Sequence, residues 1–205
     1  MLPPVEGFSR GALLARGGVG AAALLGASAL GGVLPSSAAA ADPPSDADLS
    51  YVRLLVAAEL LAIDFYGNAI ASKKLTGAAQ GNLRRAKADE QRHYDMLAAV
   101  LAAASQDPLT SADIDFTYPA KAFASRGSIA RLGSKLEALF LGAYLGAVDG
   151  YEAASLKQLA ARAAASEAQH LSVLSAAAGG PRFAAAFPRP LTMDRVSDAL
   201  DAYTS

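Results

Sequence analysis

The sequence predicts an all-α fold: a four-helix bundle of two antiparallel helix hairpins joined by a long crossover, followed by a short C-terminal helix. Three observations predict it. Four long segments between Ser45 and Ala178 carry apolar residues at helical spacing, with turn-forming residues between them. Residues 105–127 break the series once, with two prolines and clusters of Thr, Ser and Asp. Two isolated glutamates in apolar runs, Glu59 and Glu137, are each followed about thirty residues later by a Glu-x-x-His motif.

The first helix is expected to start at Ser45, whose hydroxyl suits an N-cap, and to run through Leu54, Leu55, Ala58, Leu61 and Phe65 to about Ser72. Lys73 to Gly77 reads as a turn, and the second helix covers roughly Ala78 to Ala104. The crossover over 105–127 is long enough to return along a bundle at up to about 3.3 Å per residue. Ser128 is expected to cap a third helix that reaches Asp149 and ends at Gly150. A fourth runs from about Ala153 to Ala178 and stops at Gly179-Gly180-Pro181. The tail is expected to pack through Phe183 and Phe187, and Thr192 to cap a last short helix ending near Tyr203.

Spacing sets the heights of the glutamates. In two antiparallel helices joined by a short turn, residues equally far from the turn lie level. The midpoint of Glu59 and Glu90 falls between Lys74 and Leu75, in the first turn. That of Glu137 and Glu167 is Glu152, beside Gly150 in the second. Each hairpin therefore sets its single glutamate level with its own Glu-x-x-His motif. The halves form a weak internal repeat, with Tyr66 and Tyr144 each seven residues beyond the single glutamate.

Composition narrows the function. The 205 residues suffice for one domain with a substantial core. A formal charge of −1 gives no electrostatic footprint for nucleic acid. With no cysteine there is no disulfide, thiolate metal site or lipid-attachment thiol. Residues 1–41 read as an export signal: Arg10 and Arg16 lie at its start, Gly18 to Leu34 are small and apolar, and Ser36 to Ala41 offer a small-residue cleavage site. The alternative is an uncleaved membrane anchor, the apolar stretch being near the lower length limit for spanning. Ser9-Arg10-Gly11-Ala12-Leu13-Leu14 is a twin-arginine pattern with Gly11 in place of the second arginine, so the general secretory route and the twin-arginine route both remain open. The remaining domain, residues 42–205, carries 16 basic and 18 acidic residues.

The chemistry-bearing residues are few and patterned. The chain has six glutamates and two histidines, and four of the glutamates with both histidines fall into this scheme. Residues three apart on a helix lie about 60° apart around the axis and about 4.5 Å along it. Glu90 and His93 can thus aim at one point, as can Glu167 and His170. Two Glu-x-x-His helices with two single-Glu helices make the ligand set of a bundle-bound dinuclear metal centre. Four carboxylates neutralise two divalent cations, and such oxygen and imidazole donors suit two iron or manganese ions, zinc being the third choice. The alternative is a proton-sharing polar network without metal. Asp89 could orient a ligand histidine from across the bundle or be solvated. Tyr66 and Tyr144 could bond a ligand or pack, Ser166 matches Asp89 as a weaker orienter, and Arg92 and Glu152 read as solvated and turn residues.

Ala58-Glu59 through Phe65-Tyr66, Asp89 to His93, Asp115-Phe116, Leu136-Glu137 through Ala147, and Glu167 to His170 together resemble the ferritin-like superfamily. The similarity is nearest its exported bacterial branch of secreted ferritin-like and desiccation-related proteins, and covers about Asp46 to Tyr203. The resemblance implies a ferritin-like four-helix bundle with Glu59, Glu90, His93, Glu137, Glu167 and His170 as metal ligands, and does not imply an iron-storage cage. Three functions follow as expectations. One is redox chemistry with oxygen or peroxide, as a ferroxidase, a catalase-like enzyme or an oxidase. The others are a non-catalytic metal-binding protein of the envelope and a metal-free stress or desiccation-related bundle.

Overall fold

The computed structural model describes residues 43–183 and 185–204, so the expected export signal lies outside the described residues. Five helices follow in order: α1 (Asp46–Ala71), α2 (Gly77–Ala103), α3 (Arg126–Gly150), α4 (Ala154–Ala177) and α5 (Met193–Asp201). Among the described residues there is no β-strand, only an isolated bridge between Phe116 and Thr204. The fold is the all-α bundle the sequence predicts. α1 pairs with α2 and α3 with α4, α1 also packs on α3, and α2 meets α4 most sparsely of these pairs.

α1 starts where expected. Ser45 accepts from Asp48 N–H and the Asp48 carboxylate accepts from Ser45 N–H, a reciprocal capping box. The helix is the core of the bundle, with Val52, Val56, Leu61 and Phe65 fully buried. It is long and apolar enough to cross a membrane by length and composition, yet most of its apolar stretch is covered by the other helices. Apolar residues all round are what a central helix requires.

Two expectations are corrected. The third helix begins at Arg126, with Ser125 as its N-cap and Ser128 as the reciprocal partner at the third position. Two serines three apart can each serve as cap, and the chain uses the earlier one. The tail does not pack through Phe183 and Phe187, which are 87% and 89% exposed. It docks instead at Leu191, whose N–H donates to Gly142 O at 2.8 Å. Gly146 permits this approach, because a Cβ there would sit 1.8 Å from Leu191 O. Thr192 then caps α5 as expected, accepting from Arg195 N–H.

The crossover is ordered by specific contacts. Tyr118 donates to Asp64 on α1 at 2.8 Å and its ring meets Phe123 edge-on. Thr117 N–H donates to Tyr203 O, so the crossover and the C-terminal end hold each other against α1. At the opposite end, Asp48 is fully buried and accepts from Glu152 N–H at 2.6 Å and Ala153 N–H at 3.1 Å. One carboxylate thus ties the start of α1 to the turn between α3 and α4.

Candidate metal centre

All six side chains singled out by spacing meet in the middle of the bundle. Glu59 comes from α1, Glu90 and His93 from α2, Glu137 from α3, and Glu167 and His170 from α4. The four glutamates are at most 2% exposed, which for carboxylates demands compensation. His93 Nδ1 lies 3.0 Å from Glu167 Oε1, 3.1 Å from Glu90 Oε2 and 3.8 Å from Glu59 Oε1. His170 Nδ1 lies 2.9 Å from Glu90 Oε1, 3.5 Å from Glu167 Oε2 and 3.7 Å from Glu137 Oε2.

These donors fall into two overlapping sets. Glu59, Glu90, His93 and Glu167 offer one atom each, all within 4.8 Å of one another. Glu90, Glu137, Glu167 and His170 do the same. Glu90 and Glu167 belong to both sets, while each set has its own histidine and its own single glutamate. Each set could hold a metal ion, and the two overlap in these two carboxylates.

The tyrosines bind the halves together. Tyr66 on α1 donates to Glu137 on α3, and Tyr144 on α3 donates to Glu59 on α1. Burial, followed by the neighbouring carboxylates, raises both phenols well above their ordinary range, so each remains a hydrogen-bond donor. Each tyrosine fixes one oxygen of its glutamate. Glu59 Oε2 and Glu137 Oε2 are buried with no hydrogen-bond partner among the described residues. Both Glu167 oxygens and His170 Nδ1 are likewise without an aligned partner, although ion-pair contacts surround them.

Electrostatics shows the same shortage of positive charge. Burial, then repulsion from Glu90 and Glu167, raises the Glu59 carboxyl well above the carboxylate range. Burial, then repulsion from Glu167, does the same for Glu137. Burial alone would lower the histidines, yet hydrogen bonds to Glu167 and Glu90 lift His93 to about 9, and carboxylates led by Glu137 raise His170. Burial opposes ionisation of Glu167, but its bonds to His170 and His93 outweigh that and hold it down at about 2. A carboxylate-rich pocket of this kind takes up either protons or metal cations. The inward-facing orphaned oxygens and the oxygen–imidazole donor set fit hard or borderline divalent ions.

Asp89 Oδ2 lies 3.6 Å from His170 Nε2, an ion-pair distance too long for a hydrogen bond, and pairs with Arg92 at 2.6 Å. Arg92 is exposed and Glu152 serves the turn through its backbone. The exchange of tyrosines between hairpins was not readable from the sequence, which shows only that each follows a glutamate by seven residues. Asp48 was missed altogether, since an acidic residue in a first helical turn ordinarily interacts with the helix itself.

Residues 47–180 match the family described as ferritin-like domain. Among solved structures, the chain is similar to a hypothetical protein from Methanococcus jannaschii DSM 2661, with 14% identity and a TM-score of 0.59. That likeness covers 82% of this chain and 100% of the other, and at such identity it concerns the fold alone. No curated protein matches the chain. With well over half of its length matched and its helices in this order, the chain belongs to the ferritin-like domain family.

Proposed function

We propose that the protein holds two iron or manganese ions between Glu59, Glu90, His93, Glu137, Glu167 and His170, and uses them for redox chemistry with oxygen or peroxide. The observation that carries this reading is the pair of four-residue donor sets sharing Glu90 and Glu167 in a buried pocket. Bound redox-active ions supply the electrons for reducing oxygen or peroxide. The chain's part is positional. Glu90 and Glu167, which belong to both donor sets, would serve both ions, Tyr66 and Tyr144 hold one oxygen each of Glu137 and Glu59, and Asp89 faces the far nitrogen of His170.

The test is anaerobic loading with ferrous or manganous ion, followed by oxygen or peroxide. Two ions per chain and turnover with optical bands of an oxidised metal pair are expected. Glu90→Ala and His170→Ala should abolish loading, while Glu152→Ala should leave it intact. Equal loading of all three variants would overturn the site. Tight but inert metal would replace the redox role with that of a structural clamp.

The apolar leader with its two arginines and small-residue exit also supports placing the protein outside the cytoplasm, in the secreted, desiccation-related branch. Recovery from the envelope or medium with a new N-terminus between Ala40 and Asp42 is the expected result. An intact Met1 confined to the cytoplasm would contradict it.

A further inference from the structure

A cleft of about 790 Å³ runs between α2 and α4, which pack more sparsely than either hairpin pair, and reaches His170 and Tyr66 at the candidate metal centre. Its volume falls in the range of small-molecule sites, roughly 300–1,000 Å³. It exists because small side chains face one another across it, among them Ala79, Ala86, Ser166 and Ala177. The span from Ala79 to Asp89 along α2 is about 15 Å at 1.5 Å per residue. Leu75, Leu83 and Leu174, each at most 4% exposed, provide an apolar floor, and Val173, 45% exposed, stands at the opening.

The charge lining this cleft has one dominant sign. Arg85, Arg126 and Arg182 all line it and are exposed, and among the described residues none makes an ion pair. The acidic lining residue is Asp89, already paired with Arg92. Three guanidiniums disfavour passage of a divalent cation and favour an anion, which arginine binds through charge-assisted, often bidentate hydrogen bonds. The lining also includes neither His93 nor Tyr144, so the cleft meets the Glu137–His170 side of the centre.

From this combination we infer that the cleft binds an organic anion with an extended apolar body, of the fatty-carboxylate class. The arginines take the anionic group, and the leucine floor takes the chain beside His170. The inference deepens the proposed redox reading by naming the substrate class of the same centre, and in that respect rests on it. It places the ligand on the Glu137–His170 side of the centre.

Binding is tested by titrating the metal-loaded and the metal-free full chain with dodecanoate at monomeric concentration, with dodecanol as the uncharged counterpart. Saturable binding of dodecanoate, about tenfold or more tighter than dodecanol, is expected from a charge-assisted contact. Arg126→Gln with Arg182→Gln should erase that preference. Val173→Trp, at an exposed position, should block both ligands while circular dichroism and metal loading stay unchanged. Equal affinity for the two ligands, no binding of either, or undiminished binding in Val173→Trp would overturn the inference. Metal loading without dodecanoate binding removes the cleft ligand and leaves the proposed function standing. Dodecanoate binding to a chain that takes up no metal removes the redox reading and leaves the binding site.

Discussion

Tyr66 and Tyr144 donate to glutamates on the opposite hairpin, so each hydroxyl shapes a donor set that its own helix does not complete. Removing either should loosen one carboxylate and weaken metal binding about 10–100-fold, the usual effect of losing a residue that orients a ligand. Competition of Tyr66→Phe and Tyr144→Phe with a chelator checks this, and comparable losses are expected because the contacts mirror each other. Unchanged affinity in both would reduce the phenols to packing groups. Asp48 belongs to stability instead. Asp48→Ala leaves the N–H groups of Glu152 and Ala153 without their acceptor and removes half of a capping box. A loss of about 1–3 kcal/mol in urea unfolding, with metal loading unaffected, is expected. The six clustered residues could be chosen from the sequence because their pattern is local: three-residue spacings and distances from a turn. Asp48 could not, because the turn that buries it lies about a hundred residues away.

At the scale of elements, helix starts were legible wherever one polar residue stood at the boundary, as at Ser45 and Thr192. Ser125 and Ser128 are chemically identical at positions that cap reciprocally, so local chemistry left the start of α3 undecided by three residues. Phe183 and Phe187 show the limit of hydrophobicity as a guide. They belong to a proline-flanked stretch whose path along the bundle is set by Leu191 on α3, not by their own burial. Gly146 fixes that path, since no other residue leaves room for the Leu191 carbonyl. Gly146→Ala is therefore expected to loosen the tail that precedes α5 while the four long helices persist. Faster proteolysis between Pro181 and Thr192 at nearly unchanged helical circular dichroism would show it; an unchanged cleavage rate would refute it.

For the whole molecule, four buried carboxylates and two histidines make the bundle sensitive to what neutralises them. An ion that binds only the folded chain stabilises it by about 2.7 kcal/mol at a free concentration near 100 times its Kd. For a domain of this size that corresponds to a rise in Tm of roughly 5–10 °C. Calorimetry with and without manganous ion should show the rise in the unsubstituted chain and none in Glu90→Ala. Identical Tm values for the unsubstituted chain in both conditions would count against a site in the core. The reciprocal tyrosine contacts give the bundle an approximate two-fold symmetry. A single hairpin bearing one Glu, one Tyr and one Glu-x-x-His, associated with a copy of itself about a two-fold axis, would already present every donor and both phenols. The chain has the symmetry of such a homodimer, with its two hairpins joined through residues 105–127.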